Sequence, residues 1–232
     1  MAKSSQMLMS GPMVQAYLAG QKTQTRRVRG LDLINENPEE WRCFGICKHA
    51  DGQHAQFERG PDDRKGLTIK LPYGGVGDTL WFKETWKMFE DEDGVDFLHY
   101  RADDAKIDPT WWSKEDWMGP NPKWHRKNGF EKWQSSMLMP KMCSRFVDIE
   151  ILNVRVERLQ SITREDAKAE GVSHVWEWNK DRDPKYYERG LLNPYVANYS
   201  VLWDEINGES LPWDKNPWVW VYEFPKFQAV RS

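Results

Sequence analysis

The chain has 232 residues, with 33 Lys and Arg against 36 Asp and Glu, for a formal net charge of -3. That length can bury a real core in one domain, or one domain with large insertions, and the acid excess excludes a generally basic nucleic-acid-binding surface, so any such contact must come from a local patch. Three cysteines (Cys43, Cys47 and Cys143) are too few for a disulfide framework, no run approaches the roughly 20 apolar residues of a membrane span, and the first residues lack the apolar stretch of a signal peptide. The expectation is a soluble, cytoplasmic protein without a membrane partner.

Taken in order, the first predicted element is a short helix. Pro12 suits a first turn, Ser10 can cap it, and Met13, Val14, Tyr17 and Leu18 give an apolar stripe at helical spacing, with Gly20 as the stop. A polar run follows, carrying Lys22, Thr23, Thr25, Arg26, Arg27 and Arg29 with no acid between Gln21 and Gly30. Residues 31–70 read as a mostly polar excursion holding a hairpin, with Trp41–Ile46 and Gln53–Glu58 flanking Asp51-Gly52.

The turn cluster Pro72-Tyr73-Gly74-Gly75 and Gly77-Asp78 leads into residues 79–86, whose alternation predicts one strand with Leu80, Phe82, Glu84 and Trp86 on a shared face. Phe97–Arg101 predicts another. Residues 103–140 form an irregular insert in which Trp111, Trp112, Trp117, Trp124 and Trp133 alternate with Lys114, Lys123, Arg126, Lys127 and Lys132. That mixture suits either single-stranded nucleic acid or plain packing. Arg145–Leu159 predicts a strand with a break near Leu152-Asn153, and residues 163–171 a helix capped by Thr163 and stopped by Gly171. After a polar insert at 172–192, Tyr195, Tyr199, Leu202, Trp203 and Ile206 trace an amphipathic helix ending at Asn207-Gly208. Trp218–Phe224 predicts a strand apolar on both faces. Trp203, Trp218 and Trp220 read as core. Short strands broken by a few helices predict an α+β fold with a curled sheet.

Gly20-Gln21-Lys22-Thr23-Gln24-Thr25-Arg26-Arg27 resembles the ASCH signature, with Thr25 where that signature has its acid. The blocks SGPMVQAYLAGQKTQTRRV, PYGGVGDTLWFKETW, MPKMCSRFVDIEILNVRVERLQSITREDAKAEGV and INGESLPWDKNPWVWVYEFPKF together resemble the phage and prophage branch of ASCH proteins. The resemblance implies a single PUA-like domain over residues 1–232, a small β-barrel with peripheral helices and long inserted loops at about 31–70, 103–140 and 172–192. The first segment is similar to that of the bacterial N4-acetylcytidine amidohydrolases. This implies catalytic roles for Lys22, Thr25 and, by alignment of the acidic helix, Glu170.

An amide hydrolase without a metal needs a nucleophile, a base and an oxyanion donor. Thr25 can supply the hydroxyl, Lys22 the base if burial makes it neutral, Glu170 can position Lys22, and Arg27 or nearby backbone N–H groups can hold an oxyanion or phosphate. Lys22 and Thr25 fall on opposite faces of an extended segment, so this needs a turn directly after Gly20. Against it stands a solvated or salt-bridged Lys22, Arg26 and Arg27 with the threonines as plain strand residues. Glu84 reads as a buried partner of Arg27 or Arg145, or as a pocket acid. The expected substrate-binding set is Arg27, Arg26, Glu84, Thr23 and Arg145. Cys43, Cys47, His49 and His54 lack standard zinc spacing, and neither metal nor cofactor is expected. The expected partner is a nucleoside or single-stranded nucleic acid, with hydrolysis of an N4-acylated cytidine as the concrete activity. The alternatives are a non-catalytic reader of RNA or modified DNA, and a ribonuclease.

Overall fold

The structure is a computed structural model that describes residues 2–60, 63–90, 96–107, 132–172 and 193–228. Trp111, Trp112, Trp117 and Trp124, their interleaved Lys114, Lys123, Arg126 and Lys127, and residues 173–192 lie outside the described residues. The strands are β1 (Ser4–Leu8), β2 (Gln24–Arg27), β3 (Trp41–His49), β4 (Gly52–Arg59), β5 (Asp63–Lys70), β6 (Thr79–Lys83), β7 (Trp86–Glu90), β8 (Asp96–Tyr100), β9 (Lys106–Ile107), β10 (Ile149–Glu150), β11 (Asn153–Arg158) and β12 (Trp218–Glu223). The helices are α1 (Gly11–Leu18), α2 (Asp32–Glu36), α3 (Arg164–Ala169) and α4 (Pro194–Asn207). The result is a mixed α+β fold of small three-stranded sheets with few helices, and no closed barrel forms among the described residues. No helix among them is long and apolar enough to cross a membrane.

Two compact units share the chain: Met1–Ser5, Ala16–Thr79 and Ile149–Ser232 form the first, Gln6–Gln15 and Leu80–Asp148 the second. In the first, antiparallel β12 lies between β11 and β2. Its sequence demands that central place, because Val219, Trp220, Val221 and Tyr222 are all fully buried and a strand apolar on both faces needs cover on both. Val219 and Val221 pack with Leu159, Ile162, Ala167, Tyr199, Trp203 and Trp213, so α3 and α4 cover one face.

Both helices start where their caps direct. Thr163 accepts from the Asp166 N–H at 3.1 Å while Asp166 accepts from the Thr163 N–H, a full capping box. Asn193 accepts from the Tyr195 and Val196 N–H groups ahead of Pro194, and Gly208 closes α4.

Residues 31–70 are pinned to this unit. Leu31 and Ile34 are buried, Asn35 exchanges hydrogen bonds with the Trp218 backbone, and the Phe57 ring meets Trp218 edge-on at 5.6 Å. The expected hairpin forms, with His49 opposite Gly52, and β5 adds a third strand that the polar composition had hidden. The expected 145–159 strand is split into β10 and β11 around Ile151-Leu152, beside the expected break.

In the second unit β7, β8 and β9 form an antiparallel meander. Trp86, Met88, Leu98 and Tyr100 on one face pack with Met139 and Cys143. Here the sequence reading needs correction: residues 79–86 are not one strand. The chain leaves β6 at Lys83 and begins β7 at Trp86, because the intervening Glu84 is held by Arg145 and the Thr85 carbonyl accepts from the Arg101 N–H.

Candidate functional site

α1 ends as its sequence directs: Gly20 takes a left-handed φ of 67°, and the Gln21 and Lys22 N–H groups both donate to the Ala16 carbonyl. The Thr23 N–H donates to Ala169 at 2.8 Å, tying the segment before β2 to the end of α3. Gly171, the stop of α3, packs directly beneath. A Cβ there would lie 2.6 Å from the Ala16 Cβ and 3.2 Å from the Lys22 Cβ, at a φ of 88°. Gly171→Ala should therefore lower stability by about 1–3 kcal/mol from backbone strain alone, readable in a denaturant melt, and displace Lys22.

Lys22 has no exposed surface. Its ammonium donates to the Gln24 carbonyl at 2.7 Å and to the Glu170 carbonyl and Oε2 at 2.9 Å each, so all three hydrogens have acceptors. Burial lowers its pKa from the ordinary 10.5, and the Glu170 carboxylate opposes that shift. Glu170, 5 % exposed at the C-cap of α3, also accepts from Arg26 Nη1 at 3.2 Å.

Around this pair runs a polar layer. Gln24 accepts from Arg26 Nη1 and donates to Asp166 Oδ1 and Glu223 Oε1. Arg26 Nη2 reaches Glu157 at 2.5 Å, and its guanidinium lies 5.7 Å from the centre of the Tyr199 ring. Arg155 joins Glu157, Asp166 and Glu223 as a half-buried rim.

Burial would raise the Asp166 carboxyl, but donors from Gln24 and Thr163 and the charge of Arg26 outweigh it and hold the group at about 2, below its ordinary 3.8. A carboxyl depressed on folding stabilises above its unfolded pKa and loses that contribution as pH falls through the folded value. Wild type should thus lose on the order of 1–2 kcal/mol between about pH 4 and pH 2, after allowance for solvent screening. Acid titration of the melting midpoint checks this, and Asp166→Asn should flatten that slope.

The two faces of β2 separate the expected residues. Gln24 and Arg26 share the face of Lys22's partner Glu170, opposite Glu223 and Val221. Thr25 and Arg27 fall on the other, opposite Tyr222 and Trp220. Thr25 is 1 % exposed, and neither Lys22 nor Glu170 hydrogen-bonds its hydroxyl. The Thr23 carbonyl accepts from the Phe224 N–H on the β12 side, so the next carbonyl, that of Gln24, faces the outer edge of β2. The Lys22 ammonium sits at that edge, beside the peptide joining Gln24 to Thr25. On the Thr25 face, Tyr73 meets Tyr222 edge-on at 5.5 Å, and the Arg29 guanidinium lies 5.9 Å from the Tyr73 ring centre.

The remaining expected residues lie elsewhere. Thr23 contributes its backbone. In the second unit Glu84, 1 % exposed, accepts from Arg145 Nε at 2.8 Å and Nη2 at 2.9 Å. Arg145 also forks onto Asp103 at 2.8 Å and stacks on Tyr100 and Phe146. Of the two partners proposed for Glu84, the one found is Arg145.

Cys47 Sγ lies 3.0 Å from His49 Nε2, yet among the described residues no three His, Cys, Asp or Glu side chains are placed together to hold a metal ion. A groove of about 550 Å³ between β3 and β11 shares only Arg155 and Glu157 with the Lys22 network. Gln24, Asp166, Glu157, Arg155 and Glu223 are the network members the sequence reading missed. For Arg155, Glu157 and Glu223 the one signal was charge on strands that otherwise carry apolar residues, whereas Gln24 is neutral and Asp166 lies on α3. No protein-family model matches the chain, and neither curated proteins nor solved structures give a match.

Proposed function

We propose that this chain is an ASCH-type protein of PUA-like architecture that binds a nucleobase at β2, and that it hydrolyses the acyl amide on N4 of a modified cytidine. The observation that carries the reading is the Lys22–Glu170 pair. A lysine with no exposed surface meets a carboxylate 148 residues away, next to the peptide of a threonine. Burying a lysine is costly unless it is paired, and burial also favours the amine form that a general base requires.

In the proposed reaction the Thr25 hydroxyl attacks the acyl carbonyl and passes its proton to the Lys22 amine. That proton returns to N4 as the C–N bond breaks, releasing cytidine. Water then attacks the acyl–Thr25 ester, Lys22 takes a proton from it and returns that proton to the Thr25 oxygen as the ester bond breaks, and the carboxylic acid leaves and ionises in solvent. Glu170 orients Lys22 throughout. The position of Lys22 at the outer edge of β2, where it donates to the Gln24 carbonyl, supports this, and the reaction requires its nitrogen to swing from Glu170 past that edge to the Thr25 face. Tyr73 would stack the base and Arg27 would face the oxyanion or a phosphate.

The full commitment of the Lys22 hydrogens favours a second reading, a reader that binds the base without reacting. Thr25 separates the two. In the hydrolase, Thr25→Val abolishes turnover of N4-acetylcytidine yet still binds it by calorimetry, and Thr25→Ser retains turnover. Binding without turnover by the wild type would instead select the reader.

A further inference from the structure

The face of the second unit's sheet opposite its core has its own chemistry. Lys87 pairs in register with His99, and His99 with Lys106, so the three share a face, and Arg101, just past the end of β8, lies over the same Trp133 ring as Lys87. The opposite face carries Trp86, Met88, Leu98, Tyr100 and Ile107, the unit's core. Trp133 lies on the basic face. Its ring centre is 4.9 Å from that of His99, 5.0 Å from Lys87 Nζ and 5.8 Å from the Arg101 guanidinium.

We propose that this face of β7, β8 and β9 binds single-stranded nucleic acid, with Lys87 and Arg101 on backbone phosphates and Trp133 as the stacking platform. Charge is the first argument. A chain of net charge -3 gathers Lys87 and Lys106 on one sheet face, with Arg101 over the same Trp133 ring as Lys87, and among the described residues neither Lys87 nor Arg101 is ion-paired with a carboxylate. Asp104 is hydrogen-bonded to His99. Arrangement is the second argument. One indole draws both cationic heads to itself, so two phosphate ligands converge beside an aromatic ring. A basic groove combined with aromatic faces is what binding of single strands requires. Trp133 and the exposed Lys132 next to it are the described end of the aromatic-and-basic stretch noted in the sequence.

The test is fluorescence anisotropy with a labelled oligothymidylate of about 15 nucleotides, across a salt series. Wild type should bind at low salt. Lys87→Ala with Arg101→Ala should weaken binding at least about tenfold and reduce the salt slope by about 1.4, as expected for two lost phosphate contacts. Trp133→Ala should weaken it about 5- to 100-fold, with Trp133→Phe largely restoring it; thermal melts establish that each variant is folded. No binding by the wild type at low salt overturns the proposal. So does loss on Lys22→Met but not on Lys87→Ala/Arg101→Ala, which would put the strand on the first unit. Heparin binding equal to the oligonucleotide's, with Trp133→Ala unchanged, would leave only a general polyanion surface and equally overturns it.

Discussion

Glu170→Ala should destabilise the protein by about 3–5 kcal/mol, the usual cost of stripping one partner from a buried ion pair, and, on the proposed hydrolase reading, should abolish turnover. The size follows from what stays behind. Lys22, with no exposed surface, would keep only the Gln24 carbonyl and the backbone carbonyl at position 170, and Arg26 would lose an acceptor at 3.2 Å. Lys22→Met should cost less, because Glu170 retains Arg26 and a similar volume is filled. Combining Lys22→Met with Glu170→Ala should recover part of the loss, the signature of a coupled pair in a double-mutant cycle. The pH dependence has a definite sign. A lysine depressed on folding holds fewer protons folded than unfolded, so stability rises with pH toward the unfolded value of 10.5. The Glu170→Ala defect should therefore shrink in alkali.

Arg145→Ala should be as severe within the second unit, again about 3–5 kcal/mol. It would leave Glu84 buried without its two donors, remove both bonds to Asp103, and uncover the Tyr100 and Phe146 rings. Arg145→Lys should recover only part, since an ammonium cannot reproduce the planar fork that serves two carboxylates. Here the pH sign reverses. Burial already pushes the Glu84 carboxyl up against the pull of Arg145, and without the guanidinium it rises further. A carboxyl raised on folding costs stability above its unfolded pKa of 4.5, so this defect should ease as pH falls toward that value. Denaturant melts of the two variants across pH should give opposite slopes.

Local signals carried the elements that local physics decides. Gly20 after α1, Thr163 before α3, Asn207-Gly208 after α4 and the apolar run of β12 were legible because each acts within a few residues of itself. Residues 79–86 misled because apolar residues on both faces mimic one alternating strand, while the break comes from Arg145, 61 residues away. The pairing of Lys22 with Glu170 was reached through family resemblance, and no periodicity contains it. Gln24, Asp166 and Glu223 stayed hidden for the same reason: Gln24 bonds partners 142 and 199 residues distant, which only the assembled β11–β12–β2 sheet with α3 packed on it brings together. Alternation along an extended segment sets Lys22 and Thr25 on opposite faces, and the two side chains do lie apart. What alternation could not show is that Lys22 lies ahead of the strand and reaches its edge.

Acetate release from N4-acetylcytidine by the wild type and by Lys22→Met, each checked as folded, tests the proposed activity most directly. The proposal expects acetate and cytidine in equal amounts from the wild type and none from the variant. Folded wild type that releases no acetate, or a Lys22→Met variant that releases it at the wild-type rate, would contradict it.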